Sequence, residues 1–253
     1  MPDLRIDFAN TGHTMLQMQR IRRNLWVVMW AMALILFIYP INSLPLRLGL
    51  LASTFVGYVG LIWFFKNTKP VFLGLIAVAV LFFAFLCCPG RNSEPQKLQS
   101  AYLLSLRSYE NTRFFWGGEN GFGVDCSGLV RAGLIKANFQ KGLLDLNPRW
   151  VRFSLSLWWH DCSAKALGEE YRGQTKYILS ARSINALDET KILPGDLAVT
   201  DGGVHVLAFL GNHEWIEADP AVGKVIVVRV PAEKNPWFCH PVRIMRWTEL
   251  ETK

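Results

Sequence analysis

The chain has 253 residues, 51% of them hydrophobic, and a formal net charge of +7. The charge is uneven: seven basic residues accompany two acidic ones through Pro70, and twenty accompany eighteen from there on. The excess therefore belongs to the apolar first part, where it reads as a membrane-topology signal and gives no ground for a nucleic-acid partner.

A polar segment, residues 1–23, precedes three apolar stretches, Leu25 to Ile41, Leu46 to Phe65 and Val71 to Cys88. Each is near the roughly 20 residues that a helix needs to cross a bilayer. Residues 24–65 and 71–88 hold no acidic side chain, and Arg47 is their one basic residue. This predicts three transmembrane helices within residues 24–89, with the lipid bilayer as a partner. Arg20, Arg22 and Arg23 before the first span, and Lys66 and Lys69 between the second and third, mark the inner side, while the loop with Arg47 falls outside. Three crossings then put residues 90–253 on the outer face of a cytoplasmic membrane; if one stretch is re-entrant, they face the cytoplasm instead. A cleaved signal peptide fits badly, because polar residues come first and no small-x-small pattern follows the first stretch.

Beyond a polar linker, PGRNSEPQ, leucines at helical spacing predict an amphipathic helix over Lys97 to Tyr109. The next block, GFGVDCSGLVR, carries the most specific chemistry. Gly117, Gly118, Gly121 and Gly123 predict an irregular loop, Asp125 an N-cap, and Cys126 the first turn of a helix. There the amide groups and the positive end of the helix dipole are expected to favour thiolate, the form that attacks. Residues 138–189 read as mixed with helical character, and residues 140–185 as an inserted helical cap. The pair Trp158 and Trp159 suits a groove, a core or a membrane interface. Asp161, Cys162 and Ser163 repeat the Asp-Cys-Ser triplet, but no glycine loop precedes them, so Cys162 is rejected as the nucleophile; a disulfide with Cys239 is an alternative use for it.

Strands are predicted near Leu197, Val206, Trp215, Val225 and Val242. Helices followed by a run of antiparallel strands indicate an α+β fold. His205 starts a strand, and Glu217 and Asp219 on the returning strand share parity, so either carboxylate can orient its imidazole toward Cys126. No metal-ligand spacing and no phosphate-binding loop occurs, so neither a metal nor another cofactor is expected.

The blocks FFWGGENGFGVDCSGLVRAGL, ILPGDLAVT and HVLAFLGNHEWIEAD resemble the NlpC-type cysteine peptidases over roughly residues 94–247. The resemblance implies a papain-like domain with a nucleophile helix packed on an antiparallel sheet. It implies Cys126 as nucleophile, His205 as base and Glu217 as the third residue, with Asp125, Ser127 and Trp116 beside the substrate. The implied substrate is a peptidoglycan stem peptide cut beside γ-D-glutamate. Two positions depart from the family: Glu217 stands where His is common, and Phe114 where Tyr is common. Two other functions fit the same residues: acyl transfer to lipid or protein, and a degenerate wall-binding module.

Overall fold

A computed structural model of the chain describes residues 23–91 and 94–251. The polar segment before Arg23 lies outside them. Two compact units divide the chain, one holding the helices up to Phe82 and the other Tyr39–Ser43 together with residues 83 onward.

In the first unit, α1 (Arg23–Ile38), α2 (Leu44–Phe64) and α3 (Lys69–Cys87) follow the three apolar stretches. Among the described residues two helices, α2 and α3, are both long and apolar enough to cross a membrane; α1 is a shorter apolar helix over its described residues. The first stretch leaves the helix before Ile41 because Pro40 has no amide to donate and disfavours helix at Tyr39. Arg47, expected in a loop, is instead a buried residue of the first turn of α2. Glycines let α1 and α2 pack closely: a Cβ on Gly60 would stand 2.3 Å from the Trp26 ring, and Trp26 Nε1 donates to the Gly57 carbonyl at 2.8 Å. Tyr58 donates to the Leu75 carbonyl at 2.6 Å, joining α2 to α3. The outer surface stays apolar, with no buried residue in α3 and Phe55 and Leu81 each 68% exposed.

The second unit is α+β. Helix α4 (Pro95–Arg107) buries Leu98, Tyr102, Ser105 and Leu106, one face of its helical repeat. It packs on α5 (Cys126–Leu144), where Tyr102 donates to the Val130 carbonyl at 3.2 Å. A two-stranded ribbon, β1 (Glu119–Asn120) and β2 (Gly123–Val124), precedes α5. After α5 come α6 (Pro148–Trp159) and α7 (Ala164–Gly168), then β3 (Thr175–Ala181). The expected helical cap is thus two helices plus an edge strand. Strand β3 escapes notice in the sequence because only Thr175 in it is buried, and the chain there shows no apolar alternation.

The main sheet adds β4 (Leu197–Thr200), β5 (Val206–Gly211), β6 (Glu214–Asp219), β7 (Lys224–Arg229) and β8 (Val242–Trp247). Its order is β3-β8-β4-β5-β6-β7, antiparallel throughout. Alternate residues serve two cores. Leu197, Val199, Val206, Ala208 and Ile216 meet α4 and α5, whereas Ala198, Leu207, Phe209, Trp215 and Ile244 pack under Ile184, Ile192 and Phe238. Burial on both faces explains why β5 reads as one apolar run.

The Pro-Gly-Asp turn ahead of β4 is fixed by charge. Asp196, 1% exposed, accepts from Arg246 of β8 at 2.7 and 2.6 Å and from the Leu193 amide at 2.8 Å. Asp196→Ala leaves that guanidinium without its partner, which costs about 3 kcal/mol. Thermal unfolding of the detergent-solubilised full chain is expected to show Tm lowered by about 6–12 °C; an unchanged Tm would assign the turn no such role.

Candidate active site

The glycine loop is built around Asp125. This residue caps α5 by accepting from the Gly128 amide at 2.6 Å, and the same oxygen accepts from Ser127 Oγ at 2.9 Å. Its other oxygen accepts from the Gly117 amide at 2.8 Å. Asp125 therefore shapes the loop as well as bordering the cleft. Gly128 has a steric cause: a Cβ there would stand 1.9 Å from the Gly118 carbonyl oxygen. Gly117, with φ at +72°, takes the left-handed turn that a side chain disfavours.

Cys126 is the first residue of α5 and 5% exposed. Burial, and next the neighbouring Asp125 carboxylate, push its thiol up to about 12, against the pull of the Val206, Ser127 and Cys126 amides. The amides at the helix start favour thiolate, as expected, but burial and Asp125 outweigh them at this depth. The Val206 amide that faces the sulfur belongs to the residue after His205, so the start of β5 is brought up to the start of α5.

His205 is 2% exposed, and its Nε2 lies 2.8 Å from Oε2 of Glu217, which is fully buried. Asp219 does other work: its Oδ1 accepts from the Ala221 and Val222 amides and closes the β6–β7 turn. Two residues in the β7–β8 connection complete the arrangement. Asn235 donates through Nδ2 to Glu217 Oε1 at 2.6 Å and accepts from the Trp237 amide at 3.0 Å. The Trp237 ring stacks on the His205 imidazole with centroids 4.2 Å apart and planes 20° from parallel. Neither residue was predicted from the sequence; the Asn-Pro turn signal at Asn235 and Pro236 was the available cue.

A cleft of about 350 Å³ opens beside Asp125 and Ser127, lined also by Asn42, Glu119, Arg131, Asp161 and Cys162; neither Cys126 nor His205 is in its lining. Arg131, 1% exposed, pairs with Glu119 at 2.8 Å and with Asp161, and donates to the Leu157 and His160 carbonyls. The rejected rival Cys162 is a wall of this cleft, its thiol pushed up to about 11 by burial; it and Cys239 are both free thiols. Trp116 stands outside the cleft, 68% exposed and edge-on to Phe114 at 5.1 Å. Trp158 and Trp159 are not among the lining residues.

A sequence profile described as the NlpC/P60 family matches residues 111–243, just over half of the chain and the span from the glycine loop through Trp237. The chain belongs to the NlpC/P60 family. This NlpC/P60 protein is thereby a cysteine peptidase. The chain is similar to the P60 domain of an antigen from M. avium subspecies paratuberculosis, at 19% identity over 62% of this chain and 98% of that one, TM-score 0.39. The peptidoglycan hydrolase RipB from Mycobacterium tuberculosis is similar at 18% identity over 60% of this chain and 65% of that one, TM-score 0.38. The NlpC/P60 domain of the peptidoglycan hydrolase SagA is similar at 23% identity over 58% of this chain and 97% of that one, TM-score 0.35. No curated protein matches the NlpC/P60 chain.

Proposed function

We propose that this NlpC/P60 protein is a membrane-anchored cysteine hydrolase that cuts an amide bond beside γ-D-glutamate in peptidoglycan stem peptides. The observation that carries the reading is the approach of the buried Cys126 thiol to the strand start at His205, whose Nε2 is engaged by Glu217. His205 Nδ1 then takes the thiol proton, the thiolate attacks the carbonyl, and the imidazolium returns the proton to the leaving amine. The Cys126 amide at the start of α5 stabilises the oxyanion. Glu217 holds the imidazole and its positive charge. Three carboxylates against one guanidinium line the cleft, so Asp125 and Ser127 suit the peptide's cationic amino end. Trp116 offers an exposed ring to the rest of the peptide.

The apolar surfaces of α2 and α3 support anchoring. So does connectivity: residues 39–43 before α2 and residues 86–91 at the end of α3 both attach to the peptidase domain, which requires both to lie on one side of the bilayer. Two crossings between them meet that requirement. A reporter enzyme fused to the C-terminus is expected to be active outside the cytoplasm; cytoplasmic activity would end the cell-wall reading.

Glu217→Gln tests the site. Asn235 is fixed by the Trp237 amide and keeps donating, so the new amide must turn its oxygen to Asn235 and its NH2 to His205 Nε2. That forces the imidazole proton onto Nδ1, the wrong tautomer for accepting from the thiol. Release of peptides from muropeptides by the detergent-solubilised full chain is expected to lose about 10²-fold or more in kcat with KM nearly unchanged. Wild-type kcat in the variant would remove Glu217 from the mechanism.

A further inference from the structure

The connection from β7 to β8 carries a short 3₁₀ turn, Pro236–Phe238, and three contacts fix its place. Phe238 is fully buried in the second core with Leu207 and Phe209. Asn185 holds the start of the connection, accepting through Oδ1 from the Ala232 amide at 2.8 Å. Asn235 caps the turn: its Oδ1 accepts from the Trp237 amide at 3.0 Å, and its carbonyl accepts from the Phe238 amide at 3.1 Å. Pro236 suits the first position of such a turn, where no amide donor is needed.

From this turn two side chains reach His205 by separate routes. The cap engages the Asn235 oxygen, so the group turned to Glu217 is the Nδ2 donor, 2.6 Å from Oε1. Glu217 is fully buried, and its two oxygens have separate partners, Asn235 on Oε1 and His205 Nε2 on Oε2. The carboxylate cannot turn without breaking one of these bonds, so Oε2 stays against the edge of the imidazole. The second route acts on the face. The Trp237 indole lies over the imidazole with centroids 4.2 Å apart and planes 20° from parallel, so rotation of the His205 ring about its Cβ–Cγ bond runs into the indole. Thr200 fixes the backbone beneath: its Oγ1 accepts from the His205 amide at 2.9 Å, and its amide donates to the His205 carbonyl at 3.0 Å. Backbone, edge and face of His205 are each held by a different contact.

We infer that Asn235 and Trp237 are positioning residues for the base, Asn235 acting through Glu217 and Trp237 through the face of the imidazole. This rests on the reading of His205 as the base of the hydrolase. Proton transfer from Cys126 needs Nδ1 in line with the thiol, and a misplacement of about 1 Å costs on the order of 10²-fold in rate. Neither side chain exchanges a proton. A turn that only joined two strands would need the Asn235 cap and the buried Phe238, but neither a donor aimed at Glu217 nor a flat ring over His205.

Substitutions that keep the turn and remove one contact test this in the detergent-solubilised full chain, with muropeptides as substrate and iodoacetamide as the probe of Cys126. Ser and Asp both cap a turn, so Asn235→Ser removes only the donor, and Asn235→Asp sets a second carboxylate against Glu217. Asn235→Ser is expected to lower kcat about tenfold and Asn235→Asp about 10²-fold, with KM within about twofold and Cys126 alkylation at pH 7 slowed by the same factors. Trp237→Leu fills space without a flat face and is expected to lower kcat about tenfold, whereas Trp237→Phe is expected to keep it within about threefold. Wild-type kcat in Asn235→Asp, or equal kcat in Trp237→Phe and Trp237→Leu, overturns the inference, and an inactive His205→Ala beside it leaves the hydrolase reading standing. Wild-type kcat in His205→Ala overturns both.

Discussion

His205→Ala is expected to lower kcat/KM by about 10³-fold or more and to change how Cys126 responds to pH. Burial, and next the Asp125 carboxylate, push the thiol up to about 12, so without a base very little thiolate is present at pH 7. Below that value each unit of pH raises the thiolate fraction tenfold, because deprotonation of a thiol is favoured as pH rises. Alkylation of Cys126 in His205→Ala is therefore expected to be very slow at neutral pH and to climb tenfold per unit. In the wild type the imidazole accepts the proton, and alkylation at neutral pH is expected to be much faster than in His205→Ala. Rates measured with iodoacetamide across pH 6–10 distinguish the two; superimposable profiles would mean that His205 is not the base.

Cys126→Ala is expected to abolish hydrolysis, with a loss on the order of 10⁴-fold or more, because no second thiol stands at the start of α5 and the Ser127 hydroxyl donates to Asp125. Cys162 lines the cleft beside Asp125 but stands in the connection before α7, and burial pushes its thiol up to about 11. Cys239 is exposed, with its sulfur against Asn185 and the Glu233 carbonyl. A peptide-based alkylating probe followed by peptide mapping is expected to mark Cys126, and Cys239→Ala to retain activity. Labelling at Cys162 with Cys126 untouched would move the nucleophile and with it the mechanism.

Much of the arrangement is legible in the residues themselves. The Asp-Cys-Ser-Gly block announces a capped helix, and parity along the β5–β6 hairpin brings Glu217 to the face of His205. Parity could not separate Glu217 from Asp219; the turn amides that occupy Asp219 do so. The thiol's environment was misjudged because a dipole can be read from a helix start, while depth of burial is a property of the packed molecule. Trp237 and Asn235 were missed for a related reason: a loop between strands carries no periodicity, and its contact with the imidazole exists only once the sheet has formed. The pairing of Asn42 with Glu119 is the most distant of these effects, since nothing local to Asn42 points to a residue 77 positions away.

The most direct measurement is mass spectrometry of muropeptides after incubation with the detergent-solubilised full chain, wild type and Cys126→Ala in parallel. It reports activity and bond position together. Wild type is expected to yield fragments cut beside γ-D-glutamate, and Cys126→Ala to leave the muropeptides intact. Equal release by both proteins, or no release by the wild type, would contradict the account.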